Sequence, residues 1–325
     1  MYNDKKMSIK SFLKEWTLPC AITVGTLCYL LFYYVPALDE LGNQLGPVFD
    51  TVFPSLLFLI LMVTYCKVDF HQLRPHHWHL WVLVAQFILI TINILIIFEV
   101  SDNAEQKILW ESVLTCVIAP CATAAPVVTG KLGGNINTMT TFTLISSVVI
   151  AIVIPAVFPL LESAAHISFW SAFLIILKKV STVVILPLVL AYFIRHCMHR
   201  LHRWIISQPD LGFYLWGISL SITTGITVKN IFHSNTTMTL LLMVALLSLI
   251  VCVLHFVIGR LIGRRYGEHI NTGQAMFQKN TALAIWVSYM YLNPVASIGA
   301  GCYVLWQNII NSVEIWDYHQ KAKQQ

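Results

Sequence analysis

A polar cluster interrupts an apolar stretch near the end of the sequence. In TGQAMFQKNTALAIW, residues 272–286, the polar side chains include Gln274, Gln278, Lys279, Asn280 and Thr281. A lysine at the centre of a membrane-spanning helix costs about 2.5 to 3.5 kcal/mol. Lys279 is therefore expected to have a function. The alternative is a lysine that reaches the membrane interface or helix-end carbonyls without one.

A second segment combines prolines with glycines. In APCATAAPVVTGKLGGN, residues 119–135, Pro120 and Pro126 are six residues apart and Gly130, Gly133 and Gly134 follow. Proline lacks the amide donor that a helix needs and clashes with the preceding turn, so we expect an interrupted helix. The alternative is a kinked packing helix with small residues at a tight interface. The stretch around Lys279 has no such breaker and by itself is compatible with a straight helix.

Both segments belong to a chain in which apolar stretches recur from end to end. Of 325 residues, 57% are hydrophobic and 11% are charged. Because about 20 apolar residues cross the hydrocarbon of a bilayer, this composition predicts an all-α polytopic membrane protein with the lipid bilayer as its partner. The ten predicted spans run approximately from Trp16 to Val35, Val48 to Cys66, His79 to Phe98, Leu109 to Gly130, Asn137 to Leu160, Leu174 to Ile194, Leu211 to Ile231, Thr237 to Ile262, Asn271 to Leu292 and Val295 to Trp316.

The basic residues are distributed unequally between the two sides of these spans. With the N-terminus inside, 15 Lys and Arg residues are cytoplasmic and 4 are outside, and Lys279 completes the total of 20. This bias predicts both termini in the cytoplasm and a location in the cell (inner) membrane. The net charge of +5 reflects this topology and does not indicate a nucleic-acid partner. The N-terminal segment MYNDKKMSIKSFLKEW shows no small-residue cleavage site, so we expect it to be retained.

The ten spans divide into two halves of five. Span four ends near Asn135 and span nine near Asn293, an offset of 158 residues. The same offset relates Trp16 to Leu174, the starts of spans one and six. We therefore predict a single membrane domain made of two inverted repeats, an arrangement found in secondary transporters. The predicted repeats are residues 1–165, with spans one to five, and residues 166–325, with spans six to ten.

At these residues the chain resembles the bile acid:sodium symporter family over nearly its whole length. The family's span-four pattern P-G-G-T-A-S-N followed by G-N aligns with residues 120–126 and 134–135, and its span-nine pattern E-x-G-x-Q-N-x-x-L-A aligns with residues 275–284. Gln86 in VAQF and Asn308 in LWQN are further matches. The resemblance implies a ten-span alternating-access carrier in which spans four and nine are unwound and cross at the centre.

The resemblance also implies two sodium sites behind the crossing, but the chain departs from the family there. The family's Ser-Asn pair becomes Ala125-Pro126, its glutamate becomes Ala275, and its glutamine becomes Lys279. Sodium needs several oxygen ligands, and an ammonium group repels it. We assign as the cation-site substitute Lys279, and as its neighbours Gln86, Thr143, Gln278, Ala275, Ala125 and Pro126.

The charge at this site suggests a role for Lys279. In the family pattern, one glutamate and two sodium ions carry a net charge of +1. In this chain Ala275 is neutral and Lys279 alone supplies +1. We therefore hypothesise that Lys279 is a tethered replacement for bound sodium, so that transport is sodium-independent.

The residues that match the family's substrate cavity are retained. Thr123, Asn280 and Asn308 can donate hydrogen bonds, together with amides freed at a broken helix, and would suit a carboxylate or sulfonate. We predict a small or amphipathic organic anion as the substrate. The alternative is that these side chains bond to unwound backbone.

Other chemistry is sparse within the predicted spans. Glu111 lies in the first turns of span four, where it could be a helix N-terminal acid or a proton site. The sequence shows no Ser-His-Asp set, phosphate loop or paired-histidine zinc motif in the bundle. We therefore predict that the protein is not an enzyme and needs no cofactor or metal.

Three functions compete at this stage. The leading prediction is a secondary carrier of an organic anion. The second is an arsenite-type carrier, because distantly related arsenical-resistance exporters use a cysteine in span four, where this chain has Cys121. The third is a membrane sensor or receptor that binds a ligand without translocating it, which the loss of sodium ligands favours.

Overall fold

The computed structural model describes residues 17–69, 72–162, 168–208, 211–233 and 236–324. Within these residues there are thirteen α-helices, two short 3-10 helices and no strand, which confirms the all-α prediction. The N-terminal segment that we expect to be retained lies outside the described residues. The boundary between the predicted repeats, at residues 165 and 166, also lies outside them.

The helices follow one another along the chain with short connections. They are α1 (Thr17–Tyr34), α2 (Asp39–Cys66), α3 (His77–Glu99), α4 (Ala104–Ile118), α5 (Ala125–Lys131), α6 (Ile136–Leu161), α7 (Phe169–Cys197), α8 (His199–Ile206), α9 (Leu211–His233), α10 (Met238–Arg264), α11 (His269–Phe277), α12 (Thr281–Tyr291) and α13 (Ser297–Gln324). The 3-10 helices are Pro36–Leu38 and Pro294–Ala296.

A helix, or a pair of helices, coincides with each of the ten predicted spans. By length and apolar composition, four helices of the described residues are suited to cross a membrane, namely α3, α6, α7 and α10. A fifth results if Cys20–Tyr34 and Pro36–Gly42, bent by 99°, form one span. The protein is therefore a multi-pass membrane protein, and the count of ten spans stays a prediction.

Predicted spans four and nine are each divided into two short helices. Span four consists of α4 and α5, with 15 and 7 residues, and span nine of α11 and α12, with 9 and 11 residues. The alternative of a straight helix around Lys279 is therefore wrong. The short helices pack against longer neighbours: α4 against α3, α10 and α13, and α11 against α10. At the periphery α1 packs on α9, and α2 packs on α7.

Two asparagines separated by the predicted offset begin the elements after the broken spans. The side chain of Asn135 accepts hydrogen bonds from the amides of Asn137 and Thr138 and caps α6. The side chain of Asn293 accepts from the amide of Val295 and caps the 3-10 helix before α13. Asparagine is a preferred N-cap because its oxygen satisfies amides that have no partner within the helix. The two halves therefore share this local feature.

Close helix packing depends on glycine at two positions. A Cβ atom on Gly299 of α13 would lie 2.2 Å from the carbonyl oxygen of Ser112 in α4. A Cβ on Gly25 of α1 would lie 2.2 Å from the carbonyl oxygen of Ser221 in α9. Because a backbone carbonyl cannot move aside as a flexible side chain can, only glycine permits these approaches.

Candidate functional site

The two helix interruptions have different local causes. Pro120 supplies no amide hydrogen and disfavours a helical conformation for the residue before it, and Ala119 accordingly has a ψ of 138°. In the other interruption Gln278 is extended, with a ψ of 102°. Asn280 then begins α12 as its N-cap, with its side chain accepting from the amide of Leu283 at 3.2 Å.

The two interruptions pair with each other. Cys121 and Lys279 form an isolated antiparallel bridge. The flanking residues exchange two backbone hydrogen bonds, from Ala122 N to Gln278 O at 2.9 Å and from Asn280 N to Pro120 O at 2.8 Å. Unwound backbone within a bilayer is tolerated only where protein or water satisfies its polar groups, and the bridge provides part of that satisfaction.

Side chains of neighbouring helices satisfy further groups at the first interruption. The side-chain nitrogen Nε2 of Gln86 donates to the carbonyls of Val117 and Ala119, both at 2.9 Å. The hydroxyl of Ser146 accepts from the amide of Cys121 at 3.0 Å. Gln86 was expected beside a cation site, and its amide group instead supports the end of α4.

Helix α13 supplies the corresponding groups at the second interruption. The hydroxyl of Tyr303 donates to the carbonyl of Phe277 at 2.8 Å. The side chain of Gln307 accepts from the amide of Lys279 at 3.0 Å and donates to its carbonyl at 3.4 Å. The second interruption is therefore fixed by two consecutive turns of one helix.

The three predicted substrate residues have separate environments. Thr123 is half-buried in the turn between the bridge and α5, and Asn280 is half-buried at the start of α12. The side-chain amide of Asn308 donates to the carbonyl of Val304 in its own helix at 2.6 Å. Its neighbour Gln307 is the residue that reaches the interruption. The bonds of Asn280 and Asn308 are to residues within helices and not to unwound backbone, and the assignment of the three residues to a substrate stays a prediction.

The predicted cation-site neighbours are buried, and three of the six have no polar side-chain group, namely Ala125, Pro126 and Ala275. The hydroxyl of Thr143 donates to the carbonyl of Met139 at 3.0 Å and lies 3.6 Å from the sulfur of Cys121. Pro126 falls within the first turn of α5, where a proline is compatible with the helix.

Lys279 is the most unusual residue of the site. Its side chain is 1% exposed, and within the described part of the chain its Nζ has no hydrogen-bond partner. Gln278 Oε1 and His255 Nε2 are also buried without a partner. A buried charge without a counterion is costly, so this arrangement needs a compensating function or ligand.

The hydrogen bonds of His255 define its tautomer. Tyr303 has one hydroxyl hydrogen, which it donates to the carbonyl of Phe277, and its oxygen lies 2.9 Å from Nδ1 of His255. Nδ1 must therefore carry the imidazole hydrogen, and Nε2 is left as an acceptor lone pair. His255 thus presents an acceptor in the region of the Lys279 charge.

An ionic network lies on the predicted cytoplasmic side of the site. Arg260 of α10 forms an ion pair with Glu314 of α13. Gln274 of α11 donates to the carboxylate of Glu314 at 2.7 Å and lies 3.2 Å from Asn311 Oδ1. The network connects α10, α11 and α13 on the predicted cytoplasmic side of the second interruption.

A cavity of about 600 Å³ lies between α1, α2, α9 and α12. Its walls are mostly apolar, and Lys229 is the charged residue among those lining it. Helix α12, which begins at Asn280, contributes Ile285, Trp286, Tyr289 and Met290. A volume of this size is typical of sites for small molecules.

Several residues that support the site were not identified from the sequence. They are Ser146, Tyr303, Gln307 and His255. Gln307, which contacts Lys279, adjoins the matched Asn308, so the W-x-N pattern lies in the turn of α13 that reaches the second interruption. Ser146 lies within a run of hydroxyl residues in α6, and nothing in its spacing distinguishes it.

Comparison with known proteins finds a family. The family model described as the Sodium Bile acid symporter family matches residues 54–265, which include all of α3 to α10. No curated protein matches the chain.

Proposed function

The chain belongs to the sodium bile acid symporter family, and we propose that it carries a small or amphipathic organic anion by alternating access without using sodium. Members of this family are secondary transporters and not enzymes. The observation that carries the sodium-independent part is the buried side chain of Lys279 at the bridge between the two broken helices.

The proposal assigns to Lys279 the charge that sodium supplies in the family pattern. Lys279 lies in the bridge, and the resemblance implies a cation behind this crossing. Ala275, which replaces the family's glutamate, is buried in α11. The partnerless acceptors Gln278 Oε1 and His255 Nε2 provide lone pairs for a cation in this region. Lys279 would hold the bridged arrangement without an ion from solution.

The proposed substrate position combines the second interruption with the neighbouring cavity. Asn280 begins α12, and the same helix forms one wall of the 600 Å³ cavity. We propose that the anionic group binds near Asn280 and Thr123, with Asn308 on the adjacent helix, and that the apolar body occupies the cavity. An occupant would then contact both a broken helix and the peripheral helices α1, α2 and α9.

Alternating access requires two packed units that move relative to each other. The peripheral pairs α1 with α9 and α2 with α7 each join one half of the chain to the other. These reciprocal pairs, together with the equivalent caps at Asn135 and Asn293, support the proposed inverted repeat. We propose that the protein lies in the cell (inner) membrane with both termini in the cytoplasm.

An arsenite-type carrier is the second candidate function. The observation that favours it is the position of Cys121 at the centre of the bridge, with Thr143 3.6 Å from its sulfur. A thiol is the soft ligand that arsenite chemistry requires.

The test is binding of a bile acid to the purified protein, measured by thermal shift in sodium and in choline buffers. We expect the same shift in both buffers. Lys279→Gln should abolish the shift, while Lys178→Gln, which removes an exposed lysine of α7, should preserve it. A shift that requires sodium, or normal binding by Lys279→Gln, would contradict the proposal.

A further inference from the structure

A buried carboxyl group lies away from the bridge, in the middle of α4, about two turns before the first interruption. The Glu111 side chain is 1% exposed, and neither of its oxygens has a hydrogen-bond partner in the described part of the chain. Its one ion-pair contact is with Lys107 Nζ at 3.7 Å, beyond hydrogen-bonding distance. An ionised carboxylate in this position would lack the donors that normally stabilise it.

The countercharge of Glu111 is engaged elsewhere. Lys107 Nζ donates to Glu162 Oε1 at 2.7 Å, and Glu162 follows the last residue of α6. Burial by itself lowers the pKa of Lys107. The hydrogen bond to Glu162, together with the charges of Glu162 and Glu111, has the larger effect and raises the pKa of Lys107 above its usual value. Lys107 therefore stays positively charged between two carboxyl groups.

Glu111 and Glu162 are linked through Lys107. Lys107 Nζ lies 3.7 Å from Glu111 Oε1 and 2.7 Å from Glu162 Oε1, so a single ammonium group faces two carboxyl groups. One lysine neutralises only one carboxylate, and the buried Glu111, which has no hydrogen-bond donor among the described residues, is the carboxyl group that burial favours in its protonated form. With Glu111 protonated the three side chains are neutral in sum, and without that proton they carry a net charge of −1.

The surroundings bring few other ionisable groups to the N-terminal half of α4, which ends at Glu111. Among the described residues of the elements packed on this half of α4, these are Glu99 of α3, Tyr291 of α12 and Cys302 of α13. The neighbouring turns of α10 and the 3-10 helix Pro294–Ala296 contain none. Lys107, with its partner Glu162, is the charged group in contact with Glu111.

We propose that Glu111 binds a proton beside the ion pair of Lys107 with Glu162 and that its carboxyl group is the proton site of the transport cycle. Release of the proton leaves a buried negative charge that Lys107 can compensate only by turning from Glu162 to Glu111. Helix α4 extends from Glu111 to the first interruption, and eight residues of helix span about 12 Å. Protonation of Glu111 is thereby linked, through the C-terminal half of α4, to the first interruption, which forms one side of the bridge.

The protonated carboxyl itself can be detected without transport. Infrared spectroscopy of the purified protein should show a protonated-carboxyl band at neutral pH that disappears in Glu111→Gln. Glu105→Gln, which neutralises an exposed residue in the first turn of the same helix, should retain it. Glu162→Gln should also remove the band, because it frees Lys107 to stabilise an ionised Glu111. A band unchanged in Glu111→Gln, or absent from the unmodified protein, would overturn the proposal.

The coupling to transport rests on the proposed function and needs a second measurement. In proteoliposomes, an imposed proton gradient should change the rate of bile-acid uptake by the unmodified protein, and Glu111→Gln should lose this response while keeping bile-acid binding. A gradient response that persists in Glu111→Gln would overturn the coupling. If the infrared band behaves as expected and no anion is transported, the proton site stands and the proposed function fails.

Discussion

Cys121 and Lys279 face each other in an antiparallel bridge that joins two interrupted helices, and the bridge comprises two backbone hydrogen bonds. The remaining polar groups of these interruptions are held by side chains from α3, α6 and α13. A small set of interactions therefore determines whether the two broken helices stay together.

The first prediction concerns sodium. The double variant Ala275→Glu with Lys279→Gln restores the charge and oxygen pattern of the family at these two positions. Because removal of the ammonium removes the repulsion, sodium should stabilise this variant in a thermal-unfolding assay, and potassium should have a smaller effect. The unmodified protein should show no difference between sodium and choline. Equal unfolding temperatures of the double variant in all three salts would count against the assignment.

The second prediction separates support of the bridge from substrate binding. Gln307→Ala leaves the amide and carbonyl of Lys279 without their side-chain partner, which should lower the free energy of unfolding by about 1 to 3 kcal/mol. Asn308→Ala removes a bond within a single helix and should have a smaller effect on unfolding. If Asn308 contacts the substrate, its variant should instead weaken bile-acid binding. Equal stability losses would contradict this division.

The third prediction tests the role of Cys121. An organic-anion carrier should tolerate Cys121→Ala, because the buried thiol is replaced by another small side chain. An arsenite-type carrier should lose arsenite binding in the same variant. Binding of arsenite and of a bile acid, measured side by side on the unmodified and variant proteins, distinguishes the two. Cys302→Ala, in α13, provides a control thiol.

The fourth prediction concerns the cavity. Lys229→Glu reverses the charge of the one charged residue among those lining it, so bile-acid affinity should fall about threefold to tenfold through loss of an exposed ion pair and added repulsion. Lys178→Glu makes the same change on an exposed face of α7 and should leave affinity unchanged. Unchanged affinity in Lys229→Glu would place the substrate elsewhere.

The fifth prediction concerns helix packing. Gly299→Ala would place a methyl group 2.2 Å from the carbonyl of Ser112 and should destabilise the protein by about 1 to 3 kcal/mol. Gly212→Ala is the matched control, since its Cβ would meet Val63 Cγ1 at an ordinary 3.8 Å. Thermal unfolding of both variants in the same detergent provides the comparison.

Local rules in the sequence were sufficient to locate the elements. Pro120 predicted the first interruption because proline removes an amide donor, and the structure ends α4 two residues before it. At Gln278 no breaker is present, and only the resemblance to a known family predicted the second interruption. Its cause is tertiary, since Tyr303 and Gln307 of another helix satisfy the freed backbone.

The sequence by itself determined the membrane environment and the positions of most helices, and it predicted an intramembrane location for Lys279, because apolar length and charge are local properties of the chain. Tertiary structure decided which side chains meet. Gln307 rather than Asn308 contacts Lys279, and Glu111 is separated from a hydrogen bond by the engagement of Lys107 with Glu162. Such choices depend on how helices distant in sequence are rotated and packed against each other, which the spacing of residues along one helix does not specify.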